Sequence, residues 1–358
     1  MIRMLSVSLI TLGDPGQLTG GYLYHRRMAE AAAAHNVRLR FVSFPALPFP
    51  LPAARAGVVL RRASSLADVL ILDSIAAAFL APLFVLRRPP IPLVAILHQP
   101  PGGIDHSSAR TWLQAGLDRL VYRRAAALVL ASAALAPALP AELRARAVVV
   151  PPGRDTGPPP PVVDDLRRGR RAALLYVGNW VPRKGLLDLL TAVAALPADA
   201  ATLHLAGRHD VDRRYAARVH ARLAALELAE RVVVHGPLDR AQVCTLYHSA
   251  DVFVLPSIRE PYGTAYGEAM AAGLPVVGWR AGNLPHLATH EREGLILRPG
   301  DVEGLTAALR RLIDDEPYRR CLGQAARRRA ATLPTWEQSA SRLFGMLRDV
   351  VSGDRLRW

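Results

Sequence analysis

A single lysine stands among 45 basic residues, and it closes the run Gly178-Asn179-Trp180-Val181-Pro182-Arg183-Lys184-Gly185. A compact ammonium with three donors differs from a planar guanidinium. An apolar strand pattern ends at Gly178, and the loop delivers Arg183 and Lys184 to the start of a helix. Two cations beside helix-end N–H groups suit a diphosphate. The competing reading is one stray lysine. A second loop, Pro256 to Met270, carries Glu260 and Glu268, eight residues apart. Glu260 falls in the loop and Glu268 about one turn into the next helix. Each carboxylate can accept hydrogen bonds from sugar hydroxyls. Gly263 and Gly267 allow a ligand to approach the helix start closely. Equally, Glu268 is a helix-surface charge and Glu260 a partner of Arg259.

Two further loops carry weaker signals. Thr11 to Gly21 reads TLGDPGQLTGG and ends in Gly20-Gly21 at a helix start, which fits a phosphate or a mere tight turn. It is neither GxGxxG nor a Walker loop, and strand two ends in Phe41-Val42-Ser43-Phe44 with no acid for a ribose. That weighs against a dinucleotide dehydrogenase. His98 ends a strongly apolar strand and opens the loop Gln99-Pro100-Pro101-Gly102-Gly103. A histidine there suits a hydroxyl-rich ligand or proton handling, or is simply a satisfied half-buried ring. Asp105 and His106 lie nearby without helical spacing, and no metal site is expected.

These loops need elements to hold them. Short apolar, β-branched runs alternate with helical patterns: Leu5–Ile10, Arg38–Phe44, Val69–Leu72, Leu93–Leu97, Ala127–Leu130 and Ala147–Val150, then Ala172–Val177, Thr202–Leu205, Val232–Val234, Val252–Leu255, Pro275–Gly278 and Leu295–Leu297. Continuous rather than alternating apolar strands mean both sheet faces are covered, so two parallel, doubly wound α/β units are expected. Residues 1–151 form the first, a proline-rich linker spans 152–170, and 171–334 form the second. A last helix, 335–351, follows Pro334. Ligands of such sheets bind beyond the carboxyl ends of the strands. The expected site is a cleft lined by the strand-to-helix loops of both units.

Composition bounds the rest. The chain has 358 residues, 45 Lys+Arg, 30 Asp+Glu and a net charge of +15, with 51% hydrophobic residues. Disorder is excluded. Two cysteines, Cys244 and Cys321, exclude a disulfide framework and a thiolate zinc site. The arginine pairs are scattered and carry no nucleic-acid motif, so no nucleic-acid partner is expected. Residues 69–86 hold Asp73 and Pro82 and read as strand then helix, not as a membrane span. A peripheral contact with an anionic membrane surface stays open, through this helix and Arg61, Arg62, Arg87 and Arg88.

Taken together, GNWVPRKG and SIREPYGTAYGEAMAAGLPVV resemble the donor-binding half of GT-B glycosyltransferases, in particular the large retaining family four. The likeness covers 172–332, including LHLAGR, VVVHGPL and ADVFVLPS, and is looser in 1–150, where it rests on Gly20-Gly21 and His98. The resemblance implies a GT-B fold, a last helix at 335–351 that crosses back onto the first unit, and a hexose-type sugar moved from a nucleoside-diphosphate donor to a hydroxyl acceptor. Lys184 would hold the diphosphate, Glu260 the transferred sugar and Glu268 the ribose hydroxyls. Gly20 and Gly21 would close over phosphates or sugar, with His98 near the sugar hydroxyls. Gly207 and Val234 to Pro237 would flank base and ribose, and Gly263 and Thr264 belong to the donor-binding set. Asn179 stands where the family usually has arginine, leaving Arg183 as the second cation. His286 stands where it usually has an acid. No Asp-x-Asp ends a strand, so no metal and no cofactor are expected, and the location implied is the cytoplasm or the inner membrane face. Two other readings remain: an inactive relative that binds a partner, and an epimerase of GT-B shape.

Overall fold

The computed structural model describes residues 3–16, 20–157, 165–228 and 230–353, apart from the side chain of Leu226. The chain divides into two compact units: 1–153 with 334–358, and Arg154–Leu333. Residues 158–164 of the expected linker lie outside the described residues.

Unit 1 runs β1 (Leu5–Leu12), α1 (Gly20–Ala31), β2 (Val37–Phe44), α2 (Ala56–Ser64), β3 (Val69–Asp73), α3 (Ala77–Leu86), β4 (Leu93–Leu97), α4 (Ser108–Arg124), β5 (Ala127–Leu130), α5 (Ala141–Arg144) and β6 (Ala147–Val149). Its sheet is parallel, in the order β2-β1-β3-β4-β5-β6. Every residue of β3, β4 and β5 is buried, as expected of strands covered on both faces. Pro82 sits inside α3, a ten-residue helix. No described helix is long and apolar enough to cross a membrane.

Unit 2 repeats the plan with β7 (Ala172–Val177), α6 (Leu186–Ala194), β8 (Ala201–Ala206), α7 (Arg213–Leu223), β9 (Val232–Gly236), α8 (Arg240–Ser249), β10 (Val252–Val254), α9 (Thr264–Ala272), β11 (Val276–Trp279), α10 (Leu284–Leu287), β12 (Gly294–Leu297), α11 (Val302–Asp314) and α12 (Glu316–Ala331). The strand order is β9-β8-β7-β10-β11-β12, again parallel. Arg167, inside the expected linker, makes a bidentate pair with Asp251 at 2.9 and 2.7 Å, and Asp251 Oδ2 also accepts from Ala173 N at 2.7 Å. This stretch of the linker is therefore packed into unit 2.

The final helix, α13 (Trp336–Ser352), opens with a capping box from Thr335 and Gln338. Its buried face, Ala340, Leu343, Phe344, Met346 and Leu347, belongs to unit 1. Ser339 Oγ donates to the Pro151 carbonyl at 2.8 Å, and Arg348 donates to the carbonyl of His35 at 2.7 Å. Gly153 lies against the Trp336 backbone so closely that a Cβ would fall 2.1 Å from its nitrogen.

Candidate active site

In unit 2 the strand order reverses between β7 and β10, and a parallel sheet opens a crevice at such a switch point. The loops leaving these two strands are stitched together there. The Arg183 carbonyl accepts from Ile258 N at 2.9 Å and Ser257 Oγ at 3.0 Å. Arg183 Nη1 donates to the Arg259 carbonyl at 3.0 Å. Gly185 has φ +68°, and a Cβ on it would lie 2.0 Å from the Pro256 oxygen. Only glycine lets the loops meet this closely. The result is a short ion pair from Lys184 Nζ to Glu260 Oε2, with Arg183 Nη1 at 3.9 Å from the same oxygen. Burial by itself would raise the Glu260 carboxyl; the Lys184 ammonium, its hydrogen bond and Arg183 outweigh that and hold it below the usual range.

Beside this pair α9 begins. Gly263, at φ +72°, precedes it, and Thr264 is its first residue. The Thr264 Oγ1 atom is buried with no hydrogen-bond partner. Leaving a buried hydroxyl unpaired costs about 1–3 kcal/mol, so an oxygen-rich ligand gains by reaching it. A strip at the carboxyl ends of β7, β8 and β9 continues the site. Gly207 N donates to the Gly236 carbonyl at 2.8 Å, and a Cβ on Gly207 would lie 2.3 Å from Gly178 O. Asn179 Oδ1 accepts from Arg208 N at 3.2 Å, and Val234 is 43% exposed on β9.

Glu268 goes elsewhere. Its Oε1 accepts from Arg240 Nη1 at 2.9 Å, and Arg240 also forms a short pair with Asp155. Burial pushes Glu268 up, with Arg240 opposing. Among the described residues no contact joins Glu268 to Lys184 or Glu260, so two of the three expected groups meet and the third anchors a separate Arg240 cluster. His286, on α10, is exposed, and its carbonyl accepts from Arg329 Nη2 at 3.2 Å. The chain's Asp-x-Asp, Asp210 and Asp212, is divided between Arg208 and the cap of α7.

Unit 1 has a second cluster, at its own switch point between β1 and β3. Asp73, the last residue of β3, accepts from Thr11 Oγ1 at 2.9 Å, and His25 Nε2 lies 2.9 Å from the same oxygen. His98 Nε2 lies 3.0 Å from His25 Nε2. All four side chains are buried. Burial would raise Asp73, but His25 and His98 bring it down to about 2. Burial, then His25, brings His98 down to about 3. The ionised Asp73 accepts, so His25 carries a hydrogen on Nε2. Gly21 sits against the His98 ring, where a Cβ would lie 3.3 Å from His98 Cδ2. Gly20, exposed, opens α1; residues 17–19 of the expected loop lie outside the described residues. The ligand atoms of His25, Asp73 and His98 all lie within 4.8 Å of one another, which makes them the grouping among the described residues able to hold a metal ion.

The His98 shift has a stability consequence. Below pH 6.5 an unfolded chain protonates this histidine, while the folded one resists until about 3. Stability is thus complete above pH 6.5 and falls with pH at about 1.4 kcal/mol per unit from this residue. Between pH 6.5 and 5 denaturant unfolding of wild type should lose about 2 kcal/mol more than His98→Gln loses. The comparison with the variant is needed because His106, in the same unit, is also pushed down by its burial. Equal losses in the two proteins would refute the buried neutral imidazole.

Residues 164–329 match the family described as Glycosyl transferases group 1. They form a group 1 glycosyl transferase domain. This chain is 36% identical over 180 residues to glycogen synthase of Mycobacterium tuberculosis, a match covering 48% of this chain and 41% of that protein. The chain thus spans less than half the length of the curated relatives it matches. The structure of sucrose-phosphate synthase from Thermosynechococcus elongatus superposes with a TM-score of 0.82 at 22% identity, covering 98% of this chain and 100% of that one. Anabaena HepE, solved with UDP-glucose, gives 0.77 at 21% identity, covering 96% and 100%. The chain has the GT-B fold.

The group 1 domain contains Lys184, Arg183, Asn179, Glu260, Gly207, Val234, Gly263, Thr264 and Glu268. His98, Gly20 and Gly21 lie outside it, in unit 1. Sequence reasoning passed over His25, Asp73 and Arg240. Two of these left a signal: Asp73 is the lone charge ending the apolar run VLILD, and His25 follows Gly21 by about one helical turn. Arg240 left none, because one arginine among so many on a helix looks like surface.

Proposed function

We propose that this chain is a glycosyltransferase that moves a hexose-type sugar from a nucleoside-diphosphate donor to a hydroxyl acceptor, retaining configuration and using no metal. The observation that carries this is the part-buried Lys184–Glu260 pair, with Arg183 and the unpartnered Thr264 hydroxyl at the β7–β10 switch. A diphosphate offers oxygens for both cations and for Thr264, and Glu260 is already ionised to receive sugar hydroxyls. HepE, which shares the fold, was solved with UDP-glucose. Asn179, Gly207 and Val234 form the strip assigned to base and ribose, and Glu268 is assigned to the ribose hydroxyls through its Arg240-anchored position. His98, kept neutral by its burial, is assigned to the neighbourhood of the sugar hydroxyls, with Gly20 and Gly21 beside it.

In the reaction the bond from the anomeric carbon to the diphosphate oxygen breaks as the acceptor oxygen bonds to the same face. The departing phosphate takes the acceptor proton. Lys184 and Arg183 stabilise the charge that develops on the leaving diphosphate. No side chain is required as a general base.

A thermal-shift screen with UDP-, GDP-, ADP- and TDP-sugars tests the reading. One donor at a hundred times its Kd should stabilise the protein by about 2.7 kcal/mol. That donor should then lose its sugar to water or an acceptor. A shift without turnover identifies an inactive binding relative, and an altered sugar still attached to the nucleotide identifies an epimerase. If no nucleotide sugar raises the melting point, the proposal is wrong.

A further inference from the structure

A pocket of about 640 Å³ lies in unit 1 at the carboxyl ends of β1 and β2. Its walls are largely apolar: Val42 and Phe44 from β2, Leu47 from the loop after it, Val58 and Val59 from α2. Its charged lining is Arg55 and Arg62, and no acidic residue lines it. Leu47 is 47% exposed and Val58 52%. Among the described residues the guanidinium groups of Arg55 and Arg62 have no hydrogen-bond or ion-pair partner. Arg40, also on β2, shows the contrast. It donates to Ser8 Oγ at 2.7 Å and to the carbonyls of Arg62 and Ala63 at 2.9 and 3.0 Å, pinning α2 to the sheet. The other two arginines are exposed.

The end of β1 links the pocket to the buried Asp73 network. Gly13 lines the pocket and donates its N–H to the Phe44 carbonyl at 2.8 Å. Thr11, two residues earlier on the same strand, holds Asp73 of the Asp73–His25–His98 chain.

Scattered exposed leucines and valines need no explanation. Exposed apolar groups gathered in one concavity with two unpaired forks of like charge do. We propose that this pocket seats the sugar acceptor, and that the acceptor is an anionic amphiphile: a phosphate held by Arg55 and Arg62, joined to an apolar chain lying against Leu47 and Val58. This rests on the transferase reading above and names its acceptor class. A neutral glycan leaves both guanidiniums without a counter-charge. A water-soluble sugar phosphate leaves the apolar wall wet.

Calorimetric titration of the full chain with decyl phosphate, decyl maltoside and inorganic phosphate, each below its micelle-forming concentration where it has one, separates these occupants. Decyl phosphate should bind at least about tenfold more tightly than either other probe. The double variant Arg55→Ala/Arg62→Ala, changed only at exposed positions, should weaken decyl phosphate about tenfold or more and leave decyl maltoside unaltered. Decyl phosphate that binds no better than phosphate, no better than decyl maltoside, or equally to the double variant overturns the proposal. UDP, GDP, ADP and TDP titrated into the same samples keep the two readings apart. Binding of any one of them without selective decyl phosphate binding sinks the acceptor class alone. Loss of decyl phosphate binding together with all four nucleotides sinks the transferase reading itself.

Discussion

Lys184→Ala is expected to lower donor turnover about 10²–10³-fold, the range seen when one preorganised donor is removed from a developing negative charge. The ammonium is one of two cations beside Glu260, and Arg183 stands at 3.9 Å from the carboxylate that Lys184 contacts directly. Without Lys184 the Glu260 carboxylate keeps only the more distant charge, so the fold should lose no more than about 3 kcal/mol. Lys184→Arg should recover little activity, because a planar fork does not fit the space of a compact ammonium. A purified, folded Lys184→Ala protein that turns over donor at the wild-type rate removes the phosphate site from this loop. Pairing it with Glu260→Gln adds a second readout: the two changes should be strongly non-additive in stability.

Gly185→Ala should be the more damaging change to the fold although it alters no charge. At φ +68° an alanine is strained by about 1–2 kcal/mol. Its Cβ, 2.0 Å from the Pro256 oxygen, also drives the β7 and β10 loops apart. The hydrogen bonds from Ile258 and Ser257 to Arg183 must lengthen or break. A combined loss of about 3–5 kcal/mol is expected, with turnover abolished because Lys184 and Glu260 no longer meet. Denaturant melts and a donor assay on the same sample check both halves. Wild-type stability in this variant would mean that the two loops are not held together as described.

All twelve strands stand where apolar runs were read, because a parallel strand covered on both faces announces itself as an unbroken run such as VLIL or LVAIL. Helix α2 was not singled out. Its AGVVLRRAS is short, and the irregular residues before it hide its start. The meeting of Lys184 with Glu260 was expected from the resemblance between loop motifs and those of a known family. The Arg240 partner of Glu268 was not legible, because helical position says which face a residue occupies but not which neighbour, here on α8, it meets. The Asp73–His25–His98 chain could not be foreseen from spacing. It joins β3, α1 and the end of β4, and only the β1-β3-β4 neighbourhood of the sheet brings them together.

The last helix has a consequence for how the protein is born. Unit 1 buries Leu343, Phe344, Met346 and Leu347 from residues that leave the ribosome after all of unit 2. Unit 2 is contiguous in the chain and can complete its core first. The half that begins first therefore closes after the other, waiting with an uncovered apolar groove along α1 until α13 emerges. Nascent chains stalled near Leu333 should be captured by chaperones through that groove, and release of the final segment should set them free.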